Sequence, residues 1–198
     1  MTGLIENVGD SLKYAWSINS KRIGRWILLL ILTLIPIVDF IAVGAFLKIF
    51  KGEEPELSGN VGSCFVHGLL AFIAYLIYSI IPAIIGGIFV LLTNLLVGGI
   101  IGGILSLIAT LLFLPAVANY AKTDKFGAFF RFGEIFKAIG KVGFLKYIGA
   151  WIVMLIIGLI LGLLTIIPIF GWIVSILLFL LIPVVEAFGV KYWANLLE

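Results

Sequence analysis

Cysteine, histidine and charge are all scarce in this chain. Cys64 is the only cysteine, which excludes an intrachain disulfide, a CxxC redox pair and a thiolate zinc site. His67 is the only histidine, and a lone imidazole makes no metal centre. Charged residues make up 12% of 198, too few to cover the surface of a water-soluble globule. The net charge of +3 is a small excess placed beside apolar segments, so orientation in a bilayer accounts for it and no nucleic acid is expected as a partner. Also missing are a Walker A loop, an HExxH pair, a dinucleotide glycine fingerprint and a nucleophile elbow. The glycine runs lie within apolar stretches, not between a strand and a helix where they would cradle phosphate. No catalytic constellation can be nominated and no cofactor is implied; the expected class is not an enzyme.

What is abundant is hydrocarbon. Apolar side chains make up 63% of the chain and mean hydropathy is +1.30. Three long uncharged blocks occupy residues 26–47 (interrupted only by Asp39), 64–121 and 147–185. Each exceeds the roughly 20 residues that carry a helix across a ~30 Å hydrocarbon core, and the second and third are long enough to cross twice. The expected fold is therefore an all-α integral membrane protein with about six hydrophobic helices in one membrane domain. It divides into an amphipathic N-terminal segment (1–25), a first hairpin (26–50), a polar loop (51–63), a second hairpin (64–121), a basic amphipathic segment (122–146) and a third hairpin (147–193). Six charged residues precede the first apolar run, the wrong order for a cleavable signal peptide, so the N-terminus is expected to be retained.

Prolines punctuate the blocks in related contexts. Leu32-Thr33-Leu34-Ile35-Pro36-Ile37-Val38 matches Leu164-Thr165-Ile166-Ile167-Pro168-Ile169-Phe170 at five of seven positions, and Ile80-Ile81-Pro82-Ala83 is a shorter echo. Upstream, Gly9-Asp10-Ser11-Leu12-Lys13 parallels Gly133-Glu134-Ile135-Phe136-Lys137. The pattern reads as three units of an amphipathic helix followed by a Pro-broken helical hairpin. Basic residues cluster at 13–25 and 122–146, which predicts that both face the cytoplasm. If every block is a hairpin, the acidic loop and both termini join them there; a layout with one crossing in the first block and three in the second sends the loop outside instead.

Within 129–146, Phe132, Ile135, Phe136 and Ile139 recur at helical spacing while Lys137 and Lys141 share another face. One reading is a helix lying in the inner interface, phenylalanines among acyl chains and Lys137 and Lys141 among lipid headgroups; the other is a connector packed under the bundle. Ile5, Val8, Leu12, Ala15 and Trp16 repeat the apolar pattern at the N-terminus. Gly98, Gly99, Gly102 and Gly103 form overlapping GxxxG patterns, and Gly158 with Gly162 another; these permit close helix packing within the chain, or against a second copy or another membrane protein.

Two carboxylates fall at depth. Asp39 follows Pro36 by three residues and is expected to cap the helix that restarts there, the alternative being a cation site at a broken helix. Glu186 lies near the end of the last block, followed by Lys191, Tyr192 and Trp193, which read as an interfacial anchor whose water or lysine reaches the carboxylate. His67 and Asn94 read as interfacial or turn residues.

The stretches Gly44-Ala45-Phe46-Leu47-Lys48, Lys51-Gly52-Glu53-Glu54-Pro55-Glu56-Leu57, Phe65-Val66-His67-Gly68, Ala118-Asn119-Tyr120-Ala121, Phe126-Gly127-Ala128-Phe129-Phe130 and Tyr147-Ile148-Gly149-Ala150-Trp151 resemble the prokaryotic domain-of-unknown-function family 4013 over about residues 20–195. That family is distantly similar to the membrane domain attached to some glycerophosphodiester phosphodiesterases. The resemblance implies a helical bundle with amphipathic segments on its inner face and carries over neither an activity nor ligand residues. The leading expectation is a lipid-embedded structural or interaction component of the prokaryotic cell membrane, with membrane lipids as partners. Its rival is a small transporter or channel built on broken helices, Asp39 and Glu186.

Overall fold

The computed structural model describes residues 3–57, 61–166 and 171–198. The described residues form α1 (Leu4–Ser20), α2 (Ile23–Thr33), α3 (Asp39–Leu47), α4 (Val61–Leu92), α5 (Leu95–Thr123), α6 (Phe132–Val142), α7 (Phe144–Ile166), α8 (Gly171–Leu180) and α9 (Ile182–Leu197), with short 3-10 turns at Lys48–Lys51 and Phe126–Phe130. No strand occurs among them. Hydrocarbon offers backbone N–H and C=O groups no partners, so apolar segments of this length satisfy their hydrogen bonds internally as helices.

Helix length decides which segments cross. α4 (32 residues), α5 (29) and α7 (23) are each long and apolar enough to span a membrane. At 1.5 Å per residue, α4 and α5 extend about 48 and 44 Å, beyond a ~30 Å core, which tilting accommodates. α2 and α3 have 11 and 9 residues, too short to cross singly. α8 and α9 are bent by 67° at Leu181, and counted as one broken span they raise the crossings to four. Among the described residues the expected number of about six is thus corrected to three or four, because the turn around Pro36 arrives too early in the first block and Leu181 divides the last.

Proline position alone did not foretell the breaks. Pro36 lies in the turn between α2 and α3, as expected, but α4 runs continuously through Pro82 and α5 through Pro115. A helix braced by its neighbours tolerates the missing N–H at such positions. The hairpin turns instead at Thr93-Asn94, where Asn94 Oδ1 accepts from Val97 N at 3.0 Å and caps α5. Pro168 lies outside the described residues.

Polar contacts gather the ends of several elements at one pole of the bundle. Arg22 pairs with Glu56, Arg25 with Glu54 at 2.9 Å, and Lys51 with Asp124 at 2.6 Å. The start of α2 and the loop after α3 therefore lie together, so the α2–α3 pair enters and returns on one side. The C-terminal end of α5 lies there too, and a layout with that loop opposite the 122–146 segment is incompatible with the Lys51–Asp124 pair. Hydrogen bonding to the Arg25 guanidinium holds the Glu54 carboxyl below its usual range. That contribution is present above the ordinary carboxylate pKa and fades as pH falls through the lowered one. Both groups of the Lys51–Asp124 pair are part-exposed, so the pair supplies position more than energy.

Helix α1 carries polar side chains on its buried face. Ile5, Leu12 and Trp16 face outward, while Asn7, Ser11 and Asn19 are buried. Asn7 Nδ2 donates to the Tyr192 carbonyl at 3.0 Å, and Asn7 Oδ1 accepts from Ser11 Oγ at 3.2 Å and Asn195 Nδ2 at 2.9 Å, tying α1 to α9. Beside lipid the apolar stripe belongs outside, and polar groups find partners within the protein. Asn7→Ala is expected to destabilise the fold by about 1–3 kcal/mol, read as a lowered Tm in detergent, because it removes the oxygen that accepts from both Ser11 Oγ and Asn195 Nδ2.

Helices α3 and α4 pack closely and antiparallel. A Cβ added at Gly44 would overlap the Cys64 carbonyl, and one at Gly68 the Phe40 carbonyl. The two contacts form a reciprocal seam one helical turn long.

Candidate functional site

The α3–α4 seam forms one wall of an open cavity of about 480 Å³, bordered also by α5 and α9, with Phe72 and Tyr75 exposed at its mouth. Phe40, Phe72, Tyr75, Phe113 and Trp193 contribute aromatic surface. Two carboxyls line it with them: Asp39, at the first position of α3, and Glu186, just over one turn into α9. The structure thus brings together two side chains 147 positions apart.

Asp39 is not neutralised in the way expected from sequence. Val38, not Asp39, is the N-cap of α3, and no side-chain capping bond is present. The turn through residues 35–38 already uses the local N–H groups: Val38 N and Asp39 N both donate to the Ile35 carbonyl at 2.8 Å. Lys191 sits 5.1 Å from the centroid of the Tyr14 ring. Tyr192 and Trp193 are buried, Trp193 against Tyr147 and Trp151, and do not form an interfacial anchor. Asp39 Oδ1 and Glu186 Oε2 are both shielded from solvent, with no hydrogen-bond partner among the described residues. Such oxygens in an apolar wall call for a counter-charge, a proton or a polar ligand.

The donor set narrows that choice. Among the described residues no group of three or more His, Cys, Asp or Glu is placed to hold a metal ion. A hard divalent cation takes six or more oxygens in a compact shell, whereas here two carboxyls share a cavity of drug-sized volume with seven aromatic side chains. Aromatic faces and a carboxylate together suit an organic cation, whose charge meets both ring quadrupole and anion.

The other residues singled out in the sequence are dispersed. Gly98 and Gly102 lie at the α4–α5 contact, where Cβ atoms would meet Val90 and, at 3.2 Å, the Gly86 Cα. Gly99, Gly103, Gly158 and Gly162 have nothing of this chain within 4 Å of an added Cβ. Lys137 and Lys141 are exposed on α6 with Phe132 and Phe136, while Ile135 and Ile139 pack inward. His67 Nδ1 lies 2.6 Å from the Tyr120 hydroxyl, in the polar cluster that includes Asp124. Sequence reasoning missed Gly44, Gly68 and Gly86, which form no GxxxG motif within one helix and meet only across helices.

A helical bundle with three apolar spans among the described residues defines an α-helical integral membrane protein, here with an open, aromatic, carboxyl-bearing cavity. The chain belongs to the family described as protein of unknown function DUF4013, whose model matches residues 27–170. The matched region includes Asp39, α3, α4, α5 and α7; Glu186 and α9 lie beyond it. No curated protein and no solved structure matches the chain.

Proposed function

We propose that this protein binds a lipophilic organic cation within the membrane and acts as a small carrier for it, without catalysing a reaction. The observation that carries the reading is the sharing of one aromatic cavity by Asp39 and Glu186, each with an oxygen that no group among the described residues satisfies. A purely structural role rested on both carboxyls being neutralised locally, and the missing Asp39 cap removes that support. Protons compete with the cation for the carboxylates, so binding weakens as pH falls. The test is equilibrium dialysis of tetraphenylphosphonium against the full chain in lipid nanodiscs. Saturable binding that is tight at pH 8 and weakens about tenfold or more by pH 5 is expected. Absence of saturable binding at pH 8 would overturn the reading.

We further propose that the protein resides in a prokaryotic cell membrane with the pole bearing Lys51, Asp124 and α6 on the cytoplasmic side, together with both termini. The excess of basic residues at that pole supports this orientation. On α6, Lys137 and Lys141 contact anionic headgroups while Phe132 and Phe136 enter the acyl region. In a Cys64→Ala background, single cysteines at Glu53 and Lys125 are expected to resist a membrane-impermeant maleimide in intact cells and react after lysis. Labelling of either in intact cells would reverse the orientation.

A further inference from the structure

Glu186 lines a second apolar space. A groove of about 560 Å³ lies between α7, α8 and α9, bounded by Leu161, Ser175, Leu178, Phe179, Val185 and Glu186. Glu186 is the one residue that borders both this groove and the chamber shared with Asp39. Ser175, Phe179 and Val185 are exposed, so the groove opens on the outer face of the bundle, which hydrocarbon covers. Glu186 follows the 67° break at Leu181 by five residues, where α9 carries Pro183 in its first turn. The next α9 residue on the chamber face is Gly189, where an added Cβ would meet nothing nearer than the Met154 Cε at 3.9 Å.

We propose that the α7–α8–α9 groove is the access route by which a lipophilic cation passes from the bilayer into the chamber, with Glu186 pairing with it on both sides of α9. The inference rests on the cation-binding reading and specifies its path. A lipophilic cation concentrates in the bilayer, so a route walled by hydrocarbon demands no dehydration step. What such a route needs is one anionic group to lower the barrier of moving charge through it, and Glu186 is the ionisable group in the groove lining. Rotation of the Glu186 side chain from groove to chamber carries the ion pair across the helix, and Asp39 then joins it. No covalent bond is made or broken.

The experiment uses the full chain in nanodiscs and stopped-flow tryptophan fluorescence, with tetraphenylphosphonium as the probe. Ser175→Phe and Val185→Phe fill the groove from two different helices without adding a tryptophan. Each is expected to slow binding and release together by about tenfold while leaving the equilibrium Kd within about twofold of the unsubstituted protein. Preserved affinity reports that each variant is folded. Val43→Phe, which obstructs the chamber itself, is expected to abolish binding. Unchanged rates with unchanged affinity in both groove variants would overturn the route and leave cation binding standing; no saturable binding by the unsubstituted protein would overturn both.

Discussion

Replacing Glu186 by glutamine is expected to weaken tetraphenylphosphonium binding by about thirtyfold or more, and Asp39→Asn to weaken it in the same direction. Removing one member of a desolvated charge pair costs about 2–5 kcal/mol, and each 1.4 kcal/mol is a factor of ten in Kd. Glutamine preserves the shape of glutamate and its carbonyl oxygen, so the variant isolates charge from packing. The aromatic rings still contribute in both variants, which leaves weak residual binding. With both carboxyls replaced, the pH dependence between 5 and 8 is expected to vanish, since no titratable group remains among the cavity side chains that would change charge in that interval. Retention of wild-type affinity by both single variants, measured by dialysis, would mean that the probe occupies another site.

The second large effect belongs to the α3–α4 seam. Gly44→Leu and Gly68→Leu are each expected to destabilise the protein by about 3 kcal/mol or more, because each side chain is driven into a backbone carbonyl on the facing helix that has no rotamer to yield. The measurement is thermal unfolding in mild detergent, with Gly99→Ala and Gly158→Ala as comparisons. Those two positions are open within the chain, and alanine there is expected to be neutral or to stabilise by about 0.5–1 kcal/mol through helix propensity. The seam also forms a wall of the chamber, so Gly68→Leu should lose cation binding along with stability.

Membrane residence, an all-helical fold and family membership were legible in the sequence, because an uncharged run such as 64–121 has few physical alternatives in a bilayer. The number of crossings was less so. Pro36 and Pro82 sit in similar apolar contexts, yet one lies in a turn and the other inside a 32-residue helix. The difference is set by which neighbours brace the helix, and that is a tertiary property. The direction of the α1 stripe was not legible for a related reason. The 3.6-residue period marks two faces but does not say which meets lipid, and Asn7 and Ser11 turn inward because Asn195 and the Tyr192 carbonyl await them. Asp39 and Glu186 were both visible as costly groups at depth. Their meeting was not, because nothing in either local sequence encodes the packing of α9 beside α3.

The most direct measurement is a crystal structure of the protein with tetraphenylarsonium, whose arsenic scatters anomalously. The expected result is a single strong anomalous peak inside the chamber between α3, α4, α5 and α9, beside both Asp39 and Glu186 and ringed by Phe72, Tyr75, Phe113 and Trp193. A chamber filled by rearranged side chains, with the two carboxyls bonded to backbone or lysine and arsenic absent, would contradict it.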